Sequence, residues 1–407
     1  MNGGMNLRYR IKLIPKSPFL IGGKKLNSDY IKSLNYIPGG VLRAALSQEI
    51  ASVCAYYNEE VERKNWIEYR NLEECSKCPY KSICKNFSNI IISNSYPLGA
   101  NIYPLTTMGC KDESEHEPFD TLIDQLKLKI ALLNNNKYSP DYSCSSKGCN
   151  SRTERHSGLY IYDNGKLKDI DSVYEIMTKN SINSYTRNAR DGILYTLDCH
   201  STYVFKGKEQ EKAYFEGYIY SNEEIVEDLK NLNDLYVGAY NTSGLGHMEF
   251  EYLKNDKEDS KENISNRIKE FNELIGDENN YYIPITLLSD CYCNIEDYYD
   301  KPLYDIKTEE YIDMFNKKLN IGDIYYSVLS IDMVRGFDTS KKVSVQRKLK
   351  KVIKAGSILV IKTNTIDYEK LLDIEKSGIG SNTAHGFGQV SVCDRFHIDK
   401  YKNKGEK

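Results

Sequence analysis

At 407 residues the chain is longer than one hydrophobic core usually organises, so two domains with insertions are expected. A formal charge of −3 and a sequence pI near 6.2 exclude a free-standing nucleic-acid binder held by global charge; they leave room for one local basic surface, or for a subunit whose partners carry the basic charge. The sequence has no apolar run of the roughly 18 residues a membrane helix needs and no signal-peptide core, so a cytoplasmic location without membrane contact is expected.

Leu7–Pro15 sets Arg8, Arg10 and Lys12 against Tyr9, Ile11 and Leu13, the period of a half-buried strand. Phe19-Leu20-Ile21-Gly22-Gly23 follows, then a polar loop containing Asp29. Ile37-Pro38-Gly39-Gly40-Val41-Leu42-Arg43 opens a helix expected to end near Tyr57. Pro38 and the two glycines leave the first-turn amides facing outward. With Arg43 beside them this is either a phosphate site or an ordinary helix entry carrying a surface arginine.

Residues 63–182 break the pattern with long polar loops and six of the eleven cysteines, and read as an insertion into the first domain. In a cytoplasmic chain such cysteines point to metal ligands or buried thiols rather than to a disulfide framework. Cys75-x2-Cys78 with Cys84 six residues on supplies three thiolates but no obvious local fourth ligand. Cys110, His116, Cys144 and Cys149 can form a tetrahedral set of their own. Structural zinc, holding together a segment with little core, is the expected cofactor; an iron–sulfur cluster on Cys75, Cys78 and Cys84 is the alternative. Cys54, Cys199, Cys291, Cys293 and Cys393 read as buried or incidental thiols. Beyond the insertion, Asp191-Gly192 is a turn signal between extended runs, with Arg187 and Arg190 flanking the turn of a protruding hairpin.

Tyr214–Tyr220 reads as a strand and Glu223–Leu235 as a helix, followed by the glycine-rich segment Val237–Gly246 and the strand His247–Leu253. The order recurs 142 residues later: Gly356–Lys362, Thr365–Lys376, the segment Ile379–Gly388, then Gln389–Asp394. Gly238, Gly244 and Gly246 fall on Gly380, Gly386 and Gly388, which suggests two copies of one domain. Such a loop is either a phosphate cradle or a tight turn that needs positive φ. Between the copies, residues 254–280 read as a linker with a surface helix, and the second domain, 281–407, begins at the strand Tyr281–Leu288. Tyr325–Met333 is a further strand. Lys341–Lys354 is the most basic stretch, with Lys341, Lys342, Arg347 and Lys348 and no acid, either a solvated face or a nucleic-acid contact. The tail beyond Lys400 reads as disordered.

Together these parts resemble the RAMP superfamily of CRISPR-associated proteins. Ile21-Gly22-Gly23 with Tyr36-Ile37-Pro38-Gly39-Gly40-x-x-Arg43 looks like the family's first strand and helix, and Ala355-Gly356-Ser357 with Gly378–Gly388 looks like its C-terminal half. The order of parts is most similar to the RAMP subunit of type III-D effector complexes. The resemblance implies an α+β fold of two ferredoxin-like (RRM-like) domains, 1–253 and 281–407, the first carrying the Cys-rich, metal-binding insertion. It also implies a subunit that binds guide RNA at the 5′ repeat-derived tag, meets target RNA, and assembles with other RAMP subunits and the large polymerase/nuclease-type subunit. RNA contact is then expected at Gly22, Gly23, Gly39, Gly40, Arg43, Arg187, Arg190, Gly244, Gly246, His247, Gly380, His385, Gly386, Gly388 and the basic run. Repeat-processing relatives use a histidine near the first helix; here none precedes His116, so that activity is not expected. Backbone subunits cut target RNA through a metal-assisted aspartate, for which Asp29 is the one candidate, with Mg needed only in that case. A zinc-stabilised scaffold that contacts only proteins is the contrasting class.

Overall fold

The computed structural model describes residues 7–404 except 28–29, 57–66, 68, 98, 114, 145, 147, 150, 164–165, 171, 184, 207, 254–260, 296–298, 300–301, 303–305, 335–336, 339–344 and 347–348. Asp29, Lys341, Lys342, Arg347 and Lys348 therefore lie outside the described residues. The fold is mixed α+β and divides into two units. One holds Met1–Ala100, Asp171–Asp256 and Ala384–Gly386; the other holds Asn101–Ile170, Lys257–Thr383 and Phe387–Lys407.

In the first unit, Leu7–Pro15 forms the strand its alternation dictates, with Tyr9, Ile11 and Leu13 buried. It is central in an antiparallel sheet. The order is Asp234–Tyr236, His247–Leu253, Leu7–Pro15, Phe215–Ser221, then Ile91–Ile92 at the edge. The helix Gly39–Val53 buries Leu42, Ala45, Leu46 and Ile50 in the same core. The expected helix Glu223–Leu235 is shorter: a 3-10 turn, Glu223–Ile225, runs into Val226–Lys230, and the chain is extended again by Asp234. A second sheet joins the hairpin Tyr174–Ile182/Ala189–His200 to Tyr30–Ser33 and Gly22–Asn27.

In the second unit, Tyr281–Leu287 takes the central place, in the order Val390–Val392, Tyr281–Leu287, Ile358–Thr363, Asp323–Val328, all antiparallel. Numbering the four principal strands of each unit along the chain gives the same spatial order twice, 4-1-3-2. A helix follows the first and third strands in each: Gly39–Val53 and Val226–Lys230, then Thr308–Leu319 and Tyr368–Ser377. Register ties the copies together. Leu13 stands opposite Phe250 and Phe215, while Ile285 stands opposite Val392 and Leu359. The last strands are thus 142 residues apart, as the sequence alignment has them, but the third strands are 144 apart. A gapless alignment slips that strand by two residues, and a two-residue slip keeps every side chain on its own face, so the hydrophobic pattern could not reveal it.

Three further expectations change. Lys261–Ile275 is a core helix rather than a surface one, burying Ile264, Ile268, Phe271 and Ile275. Its Arg267 enters the core because both Glu375 carboxylate oxygens accept from its Nη2 at 2.9 Å. The tail is helical over Arg395–Lys404, anchored by buried Phe396, His397, Ile398 and Lys400. The stretch 63–182 does not behave as one insertion: Asn101–Ile170 belongs to the second unit. Leu122, Ile123 and Leu126 of the helix Leu122–Leu133 complete that unit's core, and Tyr103 and Tyr160 pack on Phe396. A fully buried chain of polar groups joins them: Thr286 Oγ1 to His397 Nε2 at 2.9 Å, His397 Nδ1 to Asp120 at 2.8 Å, and Thr106 Oγ1 donating to Asp120 at 2.5 Å. Among the described residues, no helix is long and apolar enough to cross a membrane.

Candidate metal centre and paired glycine loops

Cys110 ends the strand Thr107–Cys110, which pairs with Thr153–Arg155 so that Cys110 faces Thr153. His116 lies in the loop after Cys110. Cys144 and Cys149 lie in the loop before Thr153, pinned by the Cys144 N–H to Ser151 O (3.1 Å) and the Cys149 N–H to Ser146 O (3.0 Å). The two arms bring three sulfurs and one imidazole nitrogen within 4.8 Å of one another. Zinc bonded at about 2.3 Å to sulfur and about 2.0 Å to nitrogen sets tetrahedral ligands about 3.8 Å (S···S) and about 3.5 Å (S···N) apart. Cys110 Sγ and Cys149 Sγ are 3.9 Å apart, and Cys144 Sγ and His116 Nδ1 3.5 Å. The donor set and its spacing fit a closed zinc site.

The electrostatics suit a cation as well. Desolvation alone would raise the Cys110 thiol, but His116 and the backbone N–H groups of Glu113 and Asp112 outweigh it and bring the thiol down to about 6. Ser151 lowers Cys149 in the same way, while burial raises Cys144. Such a site would be structural: four protein ligands fill the tetrahedron and leave no position for substrate. Cys75, Cys78 and Cys84 lie in the other unit, on and beside the short helices Glu73–Lys77 and Lys81–Asn86. Of the thiols read as incidental, Cys199, Cys291, Cys293 and Cys393 are buried, whereas Cys54 is half-buried and stands near Cys84.

The two glycine segments adopt one backbone shape. Gly238, Tyr240, Gly244 and Gly246 have φ of 95°, 61°, 84° and 81°; Gly380, Asn382, Gly386 and Gly388, each 142 residues on, have 86°, 60°, 85° and 66°. A 3-10 turn falls at the same place in both, Asn241–Ser243 and Thr383–His385. Their anchoring bonds also correspond. Val237 donates to Gly246 O, Ala239 to Leu20 O and Gly246 to Pro18 O; Ile379 donates to Gly388 O, Ser381 to Tyr292 O and Gly388 to Asp290 O. Close approach fixes five of the six paired glycines physically: a Cβ would meet Leu20 O at 2.4 Å at Gly238, Val237 O at 2.4 Å at Gly246, Tyr292 O at 2.5 Å at Gly380, Asn94 Oδ1 at 2.7 Å at Gly386 and Ile379 O at 1.8 Å at Gly388. Gly244 differs, since a Cβ there would meet nothing within 4 Å.

The remaining expected residues fall as follows. Gly39 N–H donates to Asn94 Oδ1 at 3.0 Å, and Arg43 turns inward, its guanidinium donating to the Ile90 and Phe87 carbonyls over the Phe87 ring. Within the first unit, His385 approaches the helix start: a Cβ on Gly40 would meet its side chain at 3.4 Å. His247 Nε2 pairs with Asp234 at 2.8 Å and its ring stacks on Tyr236. Gly22 opens the strand Gly22–Asn27, which includes Gly23. The hairpin turns at Asn183–Asn188, not at Asp191-Gly192, because Asn183 closes the turn: its N–H donates to Asn188 O and its Oδ1 accepts from the Tyr185 and Thr186 amides. Arg187 sits exposed in that turn at φ 57°, while Arg190 and Asp191-Gly192 belong to the strand Ala189–His200.

No protein-family model matches the chain, and no curated protein does. Among solved structures it is similar to chains of the type III-B Cmr-beta complex determined by cryo-EM. With cognate target RNA and AMPPnP bound, the likeness is 15% identity over 97% of this chain and 94% of that one, TM-score 0.39. With cognate target RNA it is 14% over 97% and 94%, TM-score 0.42; in the apo state, 11% over 61% and 98%, TM-score 0.31. Likeness at these TM-scores defines no shared fold.

Proposed function

We propose that the chain is an RNA-binding subunit of a type III CRISPR effector complex, built on two ferredoxin-like domains of RAMP type. In this reading it holds the guide RNA at its 5′ repeat-derived tag, next to other RAMP subunits and the large polymerase/nuclease-type subunit. The observation that carries the reading is the recurrence of one left-handed loop shape at four matched positions in each copy. The 4-1-3-2 strand order, with helices after the first and third strands, supports the domain type. Gly244 supports a ligand role for the first loop, because its open side lets a phosphate oxygen reach the backbone. The exposed Arg187 on its hairpin, and the run Lys341, Lys342, Arg347 and Lys348, supply the charge for the RNA strand. Arg43, spent on two carbonyls, positions the helix start and is left out of the RNA surface. Zinc on Cys110, His116, Cys144 and Cys149 would hold Asn101–Ile170 in shape and take no part in chemistry.

A second reading, a scaffold that contacts only proteins, is favoured by one observation: the amides of Val237, Ala239, Gly244, Leu245 and Gly246 are all spent within the first unit. One experiment separates the two. The protein is purified from cells that also express its genomic neighbours, and the RNA it retains is extracted and sequenced from the 5′ end. A single population sharing one short 5′ segment ahead of variable sequence supports guide-RNA binding. Random RNA, or none from folded protein, refutes it, and the latter favours the scaffold. Cleavage through Asp29 is tested in the same complex: unchanged target-RNA cutting by Asp29→Ala removes that role.

A further inference from the structure

Cys75, Cys78 and Cys84 offer a metal three thiolates, and a closed tetrahedral site takes four ligands. Cys54 is the C-cap of the helix Gly39–Val53, its N–H turned back onto Ala51 O at 3.2 Å. The segment carrying the other three lies against the end of that helix. Tyr80 OH donates to Glu49 Oε1 at 3.3 Å, and Tyr56 OH meets the Glu74 carboxylate. Glu49 precedes Cys54 and Tyr56 follows it, so these two contacts bracket Cys54 against the segment from Glu74 to Tyr80. Cys78 and Cys84 rest on the adjoining hydrophobic core, and the thiols that act electrostatically on Cys84 are Cys54, Cys78 and Cys75.

We propose that Cys54, Cys75, Cys78 and Cys84 form a second zinc site, which clamps the end of the helix Gly39–Val53 to the short helices Glu73–Lys77 and Lys81–Asn86. The physical need is local. Those helices have five and six residues, too short to hold by their own hydrogen bonds, and Ile83 is their one buried residue, the thiols being only half-buried. A divalent ion with no preferred geometry of its own accepts four thiolates from such a segment. The four sulfurs are more widely spread than the ligands of the Cys110 cluster, so binding draws the Cys75–Cys84 segment toward the helix end.

The full chain, purified under reducing conditions without chelator, is assayed for metal by mass spectrometry. Two zinc ions per chain are expected. Cys54→Ser and Cys149→Ser should each hold one, the double variant none, and Cys54→His, which keeps a ligand, two. One zinc in the wild type, two in Cys54→Ser, or iron with sulfide at this site overturns the proposal. Should Cys54→Ser fail to fold, cobalt loading of the wild type decides. Sulfur-to-cobalt charge-transfer intensity from seven thiolates supports the second site, and intensity from three overturns it. Metal content is read without RNA, so the result is independent of the proposed function.

Discussion

Acidification should weaken the first unit through one histidine. His200 is 2% exposed, stacked on Phe19 at 4.8 Å with Phe215 edge-on at 5.5 Å, and its Nε2 faces Leu34 O. Burial, opposed by the Leu34 carbonyl and Asp198, pushes the imidazole down to about 4, against 6.5 for a free histidine. Below pH 6.5 the unfolded chain takes up a proton that the folded chain refuses, so stability is full above that pH and falls as pH drops toward 4. The whole span is worth about 3 kcal/mol, of which about 2 kcal/mol is lost between pH 7 and pH 5. His200→Gln keeps an amide donor for Leu34 O but cannot titrate. Urea unfolding of both proteins at pH 7 and pH 5, read by hydrogen exchange of the Ala189–His200 peptide, isolates the term as a difference of differences. The variant should lose about 2 kcal/mol less than the wild type on acidification. Equal losses would refute the assignment of a neutral, buried imidazole.

Asp120→Ala leaves His397 and Thr106 buried without their partner and should cost about 3–5 kcal/mol, seen as a lower urea midpoint of the second unit. Gly388→Ala drives a Cβ into Ile379 O and should abolish soluble expression, whereas Gly244→Ala, burdened only by its φ of 84°, should cost about 1–2 kcal/mol by thermal melting. Chelation, or acid that protonates Cys110, Cys144, Cys149 and His116, should release zinc and expose Asn101–Ile170 to limited proteolysis while the strand Leu7–Pro15 stays protected.

What could be read from the sequence follows the range of the forces involved. Leu7–Pro15 and His247–Leu253 were legible to the residue because one face of each is buried and alternation records it. The four-ligand set Cys110, His116, Cys144 and Cys149 was legible because thiolate chemistry leaves few other uses for such spacing. Arg43 was misjudged as a surface cation, since nothing local announces that the Ile90 and Phe87 carbonyls will claim it. The same holds for Lys261–Ile275, whose charges disguise a core helix because Arg267 finds Glu375 more than a hundred residues away. The hairpin turn was misplaced for a different reason: Asn183 outcompetes Asp191-Gly192 by bonding four backbone groups at once, the Asn188 carbonyl and the Tyr185, Thr186 and Arg187 amides.

The paired loops also bear on chain entropy. The bond that closes each copy joins Gly246 to Pro18 across 228 residues and Gly388 to Asp290 across 98. For a flexible chain the longer closure costs only about 0.7 kcal/mol more, because the penalty grows with the logarithm of length. A glycine loop that returns to the same backbone shape at the end of either path shows how cheaply this architecture absorbs added sequence. New segments can be spliced between the first strand and its loop, provided they bring their own folding energy, as a metal centre does.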